Sequence, residues 1–341
     1  MDQEINRLLK DKNVAVTGGL GSIGFEIIRK LLEYDAHSVT VLDNRETELA
    51  YAMYNSSDDR FRFRFCDMRE SDRLLETLKD VNFVFHAAAL KHVTVCEFNP
   101  YEAVKTNVIG TQNVIEACLR NKAEKLILIS TDKAVNPTNV MGATKLLAER
   151  LVSAVSIKSM DGTTKFGVVR FGNVLQSRGS VLEIWNQQLL DRKKITITDP
   201  EMTRFFMDVN QCVYLILEAA RHTRGGETFM LKMPSVRIGD LAEVYLELKG
   251  YPRNHFVLVG KRPGEKMHED LVFPEESEAL LESDRFLLRL PLFHRADMDK
   301  RYKDGFQKTA KVKYSSNDPD NLLDKKRIRS TLSSFLALGK S

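Results

Sequence analysis

Val14-Ala-Val-Thr-Gly-Gly-Leu-Gly-Ser-Ile-Gly24 decides the fold. A compact apolar run, Asn13 to Thr17, leads into Gly18, Gly21 and Gly24, and then into Phe25 to Tyr34 with apolar residues at helical spacing. Strand, glycine turn and helix in that order can cradle a dinucleotide. The first glycine permits a tight turn, the second lets backbone approach a pyrophosphate, and the third lets helix and strand touch. The helix N-terminus then faces the phosphates. A glycine turn before a helix also serves as plain structure, so the surrounding pattern has to support the reading.

Outward from this stretch, short β-rich runs alternate with helical ones. Ser38 to Leu42, Phe61 to Cys66, Asn82 to Ala88 and Lys125 to Ser130 read as strands, with a helix across Pro100 to Asn121. Strands with near-continuous apolar character, separated by helices, argue for a parallel sheet covered on both faces. Lys145 to Ser156 reads as a helix, Lys165 to Arg170 as a sixth strand, Val181 to Leu190 as a helix and Ile195 to Thr198 as a short strand. Pro200, Gly225-Gly226, Pro252, Pro263 and Pro274 then break the chain into short units. The expected architecture is α/β: a doubly wound parallel, Rossmann-type sheet with a smaller mixed α/β substrate lobe. The dinucleotide-binding domain is placed at 1–175. The lobe spans 176–341 and is interleaved with late strands of the main sheet. A last helix over Asn321 to Leu338 carries Lys325, Lys326, Arg327 and Arg329, a run that reads as a solvated face.

Composition sets the outer limits. The chain has 341 residues, 43% apolar and 29% charged, as in an ordinary globular protein. A surplus of only +4 gives no argument for nucleic acid, and no apolar run reaches the roughly 20 residues that span a bilayer. Cys66, Cys96, Cys118 and Cys212 are isolated, and the seven histidines are scattered. Neither set has the clustering of a metal site or a disulfide framework. The polar N-terminus, Met1 to Lys12, has no signal-peptide pattern. The expectation is a cytoplasmic chain with reduced thiols and no metal.

Asp43 ends the second strand, 19 positions after Gly24, where a carboxylate can accept from an adenosine ribose 2′-hydroxyl. That favours NAD, since a carboxylate repels a 2′-phosphate. Arg45, two positions on, keeps NADP open, and a turn residue after a strand is the plain alternative for Asp43. Asp67, after the third strand, suits contact with the adenine.

Ile129-Ser-Thr-Asp-Lys-Ala-Val-Asn-Pro-Thr-Asn-Val-Met-Gly-Ala-Thr-Lys145 carries the chemistry. The GxxGxxG spacing of the glycine loop is the variant of short-chain dehydrogenases, which normally follow a Ser/Thr at this strand end with Tyr-x-x-x-Lys. Lys145 is in place and Ser130 and Thr131 supply hydroxyls, but Met141 stands at the tyrosine position, and a thioether is no acid or base. Asp132-Lys133 is adjacent, at the carboxyl end of a parallel strand where ligands bind in such sheets. A carboxyl beside an amine offers the acid and base that an elimination of water requires. An isolated Asp-Lys pair at a strand end is otherwise a surface ion pair.

At these residues the sequence resembles the UDP-N-acetylglucosamine 4,6-dehydratases, extended short-chain dehydrogenases of polysaccharide and glycan biosynthesis. The resemblance spans about residues 12 to 275. It rests on Thr17–Gly24, His86-Ala-Ala-Ala-Leu-Lys-His92, Asn99-Pro-Tyr-Glu-Ala-Val-Lys-Thr-Asn107 and Ser130-Thr-Asp-Lys-Ala-Val-Asn-Pro137. Arg170-Phe-Gly-Asn-Val174, Ser177-Arg-Gly-Ser180, Met202-Thr-Arg-Phe205 and Arg262-Pro-Gly-Glu-Lys266 extend it. One branch of that family carries Met at the position of Met141. The resemblance implies hydride transfer from C4 of the sugar to NAD(P), proton removal from C5 by Lys133, protonation of the leaving C6 hydroxyl by Asp132, and hydride return to C6. The cofactor is then tightly bound and regenerated each turnover. Thr131 and Lys145 orient substrate and nicotinamide ribose. Met141 joins this catalytic set by position, and a water, Asp132 or Lys133 remain open as base for the C4 hydroxyl. The implied cofactor cradle is Gly18, Gly21, Ser22, Ile23, Gly24, Asp43, Arg45, Asp67, Met68, Ala87, Ala88, Asn107 and Lys145. A UDP-sugar falls to Lys91, Asn173, Arg178, Arg204, Arg262 and Glu265, the arginines suited to a diphosphate by charge and fork geometry. The family also implies a homo-oligomer, dimer or hexamer.

Two other readings compete. A UDP-hexose 4-epimerase shares the fold and C4 oxidation, but relies on the missing Tyr and has no use for Asp132-Lys133. A non-catalytic NAD(P)-binding sensor accounts for Met141, but not for the acid-base pair and the late arginine blocks.

Overall fold

The computed structural model describes residues 2–158, 162, 164–175, 177–291, 302, 305–309 and 313–338. Gln176, at which the expected second lobe begins, and residues 339–341, at which it ends, lie outside the described residues. Six parallel strands, β1 (Asn13–Thr17), β2 (Ser38–Asp43), β3 (Phe61–Phe65), β4 (Phe83–His86), β5 (Lys125–Ile129) and β6 (Lys165–Arg170), lie in the order 3-2-1-4-5-6. Thr228–Leu231 continues the sheet parallel to β6, and Phe286–Arg289, Leu280–Glu282 and Gln307–Lys308 follow as antiparallel additions. The α/β, doubly wound expectation is met.

The strand residues show why. Val14 and Val16, Val39 and Val41, Phe83 and Phe85, and Ile127 and Ile129 enter one apolar core, with Ile27, Ile28 and Leu31 of the helix Ser22–Leu31. Ala15, Leu42, Val84, Leu126 and Leu128 enter a second, with Val114, Ile115 and Cys118 of the helix Gly110–Arg120. Alternate residues of the same strands thus feed opposite cores, which produces the continuous apolar runs in the sequence. β1 lies between β2 and β4, so the connections diverge on either side of it and open a crevice at the strands' carboxyl ends.

Several boundaries move for local reasons. The helix expected over Lys145 to Ser156 runs Val140–Lys158, because the Asn139 side chain accepts from Gly142 N at 2.7 Å and starts it early. Met141 therefore lies in its first turn. The helix expected across Pro100 to Asn121 is broken into Pro100–Ala103, a π-helical Val104–Ile109 and Gly110–Arg120. The last helix begins at Lys325 rather than Asn321, with the Asp324 carboxylate accepting from Arg327 N at 2.7 Å. On its basic face Lys325 pairs with Asp240 and Glu243, and Arg329 with Glu247.

A second sheet sets Thr203–Met207 between Asn173–Val174 and Ser235–Arg237. A third apolar core around Trp185, Phe206 and Tyr245 packs beside it. The main sheet is tied to its antiparallel extension by Arg170, fully buried, which donates to Glu149 at 2.6 Å and to Glu276 at 2.8 Å. Among the described residues, Arg170→Ala would leave buried Glu149 without its ion-pair partner and Glu276 with Arg289 alone, 3.5 Å away. We expect a loss of about 3–5 kcal/mol in urea unfolding. A loss under about 1 kcal/mol would show that the network is not structural.

Candidate active site

The crevice above β1, β4 and β5 is a cleft of about 1040 Å³. The first glycine of the loop has no room for a side chain. Gly18 has φ +61°, and a Cβ there would sit 2.7 Å from Ala88 Cα. A Cβ at Gly24 would meet Gly18 O at 2.2 Å, so the helix N-terminus touches the loop only because position 24 is bare. This cradle, with two carboxylates farther along the wall, fits a dinucleotide.

Gly18, Gly21, Ser22, Ile23, Gly24, Asp43, Arg45, Asp67, Met68, Ala87, Ala88 and Lys145 all line the cleft. Asp43 Oδ2 accepts from Leu20 N at 3.0 Å, which ties the glycine loop to the end of β2. Arg45 is spent on carboxylates, with Nε at 3.0 Å from Asp43 and Nη1 at 3.2 Å from Glu48. Asp67 is gripped by Arg69 at 2.7 and 2.9 Å, and that hydrogen bonding holds its carboxyl below the usual range. Asn107 does not line the cleft. Its amide clamps Leu90, accepting from Leu90 N at 2.8 Å and donating to Leu90 O at 3.0 Å, and so braces the wall from behind.

At the carboxyl end of β5, Lys133 Nζ lies 2.9 Å from Asp132 Oδ1 and 3.4 Å from Asn173 Oδ1. Lys133 and Thr131 line the cleft, whereas Asp132 is fully buried beneath them. Thr131 Oγ1 donates to Asp132 Oδ1 at 2.9 Å and so connects it to the cleft. Burial pulls the Lys133 ammonium down, but Asp132 and Glu269 outweigh it and hold the amine above its ordinary range. Lys145 Nζ donates to Ile129 O at 2.6 Å. Burial pushes it down to about 8, opposed by Glu149. Met141 packs with Cys96 and Ala103 and shows the cleft only a thioether wall.

Lys91, Asn173, Arg178, Arg262 and Glu265 also line the cleft, although they come from distant segments. Lys91 Nζ donates to Arg178 O at 2.6 Å, Arg178 N donates to Ser22 Oγ at 2.9 Å, and the Arg178 guanidinium donates to Leu20 O. The Ser177–Ser180 loop is therefore latched onto the glycine loop. The structure does not bring Arg204 to the cleft wall: it is buried, and its guanidinium donates to the carbonyls of Thr203, Lys266 and Met267. Residues passed over in the sequence take part instead. Glu269 lies near Lys133, and Glu149 accepts from Ser130 Oγ at 2.6 Å. Neither has a spacing signal: Glu149 is one acidic residue in a mixed helix, and Glu269 stands beside Asp270 after a family block has ended.

Residues 14–289 match the model of a family described as polysaccharide biosynthesis protein. The chain belongs to that family. A Methanocaldococcus jannaschii protein named as an uncharacterized membrane protein is 46% identical over 97% of this chain and 98% of its own length. Among the described residues no helix is long and apolar enough to cross a membrane. A UDP-N-acetylglucosamine 4,6-dehydratase (inverting) of Campylobacter jejuni is 37% identical over 86% of each chain. A protein of Rickettsia akari named UDP-glucose 4-epimerase is 37% identical over 94% of this chain and 96% of its own. The X-ray structure of Pen from Bacillus thuringiensis superposes with a TM-score of 0.89 at 37% identity, covering 96% of this chain and 99% of that one.

Beneath the cleft wall of this family member, His86 is fully buried between Thr17 Oγ1 at 2.6 Å and Thr111 Oγ1 at 3.0 Å. Burial, with Lys145 nearby, lowers its pKa to about 3, so the folded protein keeps the ring neutral. An unfolded histidine titrates near 6.5, so between those values the unfolded chain binds the extra proton. Stability then falls as pH drops from about 6.5, by up to about 1.4 kcal/mol per unit. In urea titrations His86→Gln should flatten that slope, and an unchanged slope would show that His86 carries none of it.

Proposed function

We propose that this cleft binds NAD and a UDP-sugar and performs a 4,6-dehydration, converting UDP-N-acetylglucosamine to a UDP-4-keto-6-deoxy-N-acetylhexosamine. One observation supports it above the others: Lys133 lines the cleft 2.9 Å from the buried carboxylate of Asp132, in a chain whose tyrosine position holds Met141. A bound nicotinamide supplies a hydride acceptor for C4 and a hydride donor for C6. In this reading residues 1–175 carry the dinucleotide, and residues 176–341 supply most groups for the UDP-sugar. Asn173, Arg178, Arg262 and Glu265 are its hydrogen-bonding and charged contacts, with Lys91 near the sugar. Asp43 takes the adenosine ribose, and Arg45, paired with Asp43 and Glu48, is poorly free to accept a 2′-phosphate.

The resting pair has its proton on Lys133. Transfer of that proton over the 2.9 Å to Asp132 Oδ1 leaves a neutral amine facing the cleft and a protonated carboxyl beneath it. Lys133 Nζ then takes the C5 proton. The Thr131 hydroxyl, which donates to Asp132 Oδ1 at rest, turns to accept from the protonated carboxyl and passes a proton to the departing C6 hydroxyl. This returns the pair to its starting charge. The C4 hydroxyl proton leaves to water, and C5 takes its new proton from water as hydride returns to C6. The sum is the loss of one water. Lys145 holds the ribose hydroxyls and Met141 forms a dry wall.

Incubation with UDP-N-acetylglucosamine in deuterated water should give loss of water, a C6 methyl and deuterium at C5 by NMR and mass spectrometry. Interconversion at C4 without a methyl would support the epimerase reading instead. Lys133→Met and Asp132→Asn should each lower dehydration by about 10²–10⁴-fold while retaining cofactor binding. Asp43→Ser should shift the NAD/NADP affinity ratio toward NADP. An unchanged ratio would remove Asp43 from cofactor selection.

A further inference from the structure

Glu269 lies beyond the Arg262–Lys266 block, outside every motif in the sequence, yet the fold delivers it to the reacting pair. Its side chain is buried, with Oε1 3.9 Å from Lys133 Nζ and 4.0 Å from Arg204 Nε. Among the described residues Oε2 has no hydrogen-bond partner, and it lies 3.7 Å from Lys266 Nζ. Asp132 Oδ2 is likewise buried and without a hydrogen bond, so two carboxylates with an unsatisfied oxygen share one small volume with Lys133.

The backbone keeps Glu269 in place. Its N–H donates to Ser316 Oγ and its carbonyl accepts from Ser316 N, both at 2.8 Å. The following strand, Asp270–Val272, pairs with Tyr314–Ser315. The groups facing Glu269 are Asp132, Lys133, Arg204 and Lys266, with His268 beside it bonded through Nδ1 to Thr203 Oγ1. Arg204 and Lys266 also donate to backbone carbonyls, the latter to Val135 O, and so serve to hold the segment. Of the three cations only Lys133 lines the cleft.

We propose that Glu269 is a positioning residue of the elimination site: its buried carboxylate is the second counter-charge that holds the Lys133 amine beside Asp132 at the cleft wall. This rests on the dehydratase reading for its consequence, though not for its geometry. A carboxylate at this distance favours the ammonium, so neutralising it releases the proton of Lys133 at lower pH. Burial itself pushes the Glu269 carboxyl up, against Lys133, which pulls it down.

The test is competitive acetic-anhydride labelling of the full chain across pH, with Lys133 acetylation followed by peptide mass spectrometry against exposed lysines. In Glu269→Gln the labelling midpoint of Lys133 should fall by about 1–3 pH units. Glu269→Asp should bring it back toward wild type, and the pH dependence of C5 deuterium incorporation should move in the same direction. A Lys133 midpoint unchanged in Glu269→Gln overturns the proposal, whatever happens to activity. If Glu269→Gln does not fold, the midpoint of Glu269→Met, which also removes the charge, decides, and one equal to wild type overturns the proposal. Wild-type protein that makes no dehydrated product removes the dehydratase reading, while the labelling still decides the coupling of Glu269 to Lys133.

Discussion

The ion pair between Lys133 and Asp132, 2.9 Å long at the carboxyl end of β5, constrains everything built around it. Asp132 has no exposed surface, and removing two charges from water costs several kcal/mol each unless the surroundings compensate. Compensation here comes from three directions. The Thr131 hydroxyl donates to Asp132 Oδ1, Asn173 brings its amide oxygen to the ammonium, and Glu269 adds a second negative charge. Asn173 and Glu269 arrive on distant segments, so the compensation is complete only in the assembled fold.

The sheet makes that assembly possible. Because alternate strand residues feed two apolar cores, β1, β4 and β5 are locked on both faces, and their carboxyl ends can carry polar and charged groups without losing position. The order 3-2-1-4-5-6 opens its crevice beside β1, which sets the glycine loop next to the end of β5. The same sheet ends in antiparallel strands anchored by the buried Arg170–Glu149–Glu276 network. Glu149 reaches back to Ser130, one residue before Thr131, so the support of the core and the geometry of the cleft share a hydrogen bond.

How much of this is legible in the sequence follows from how local each signal is. The glycine loop, the apolar strands and the Asp132-Lys133 pair are short contiguous patterns, and the structure places all of them at one crevice. Asn139 as a helix cap is also local, but it hides in a polar run after Pro137, so the helix holding Met141 begins earlier than its apolar spacing suggests. The π-helical turn at Val104–Ile109 has no spacing signature, yet it carries Asn107, whose amide meets Leu90 instead of the cleft. Arg204 and Glu269 are settled only by long-range packing. An arginine in a family block turns inward to backbone carbonyls, and a glutamate outside any block lands beside Lys133.

In the proposed reaction hydride leaves C4 of a UDP-sugar and returns at C6 around the elimination at Lys133 and Asp132. UDP-N-acetylglucosamine deuterated at C4, incubated with the purified protein and followed by deuterium NMR, tests it most directly. In that reaction the label moves to the C6 methyl of the 4-keto product. Label that stays at C4, or returns there in an epimerised sugar, would contradict it.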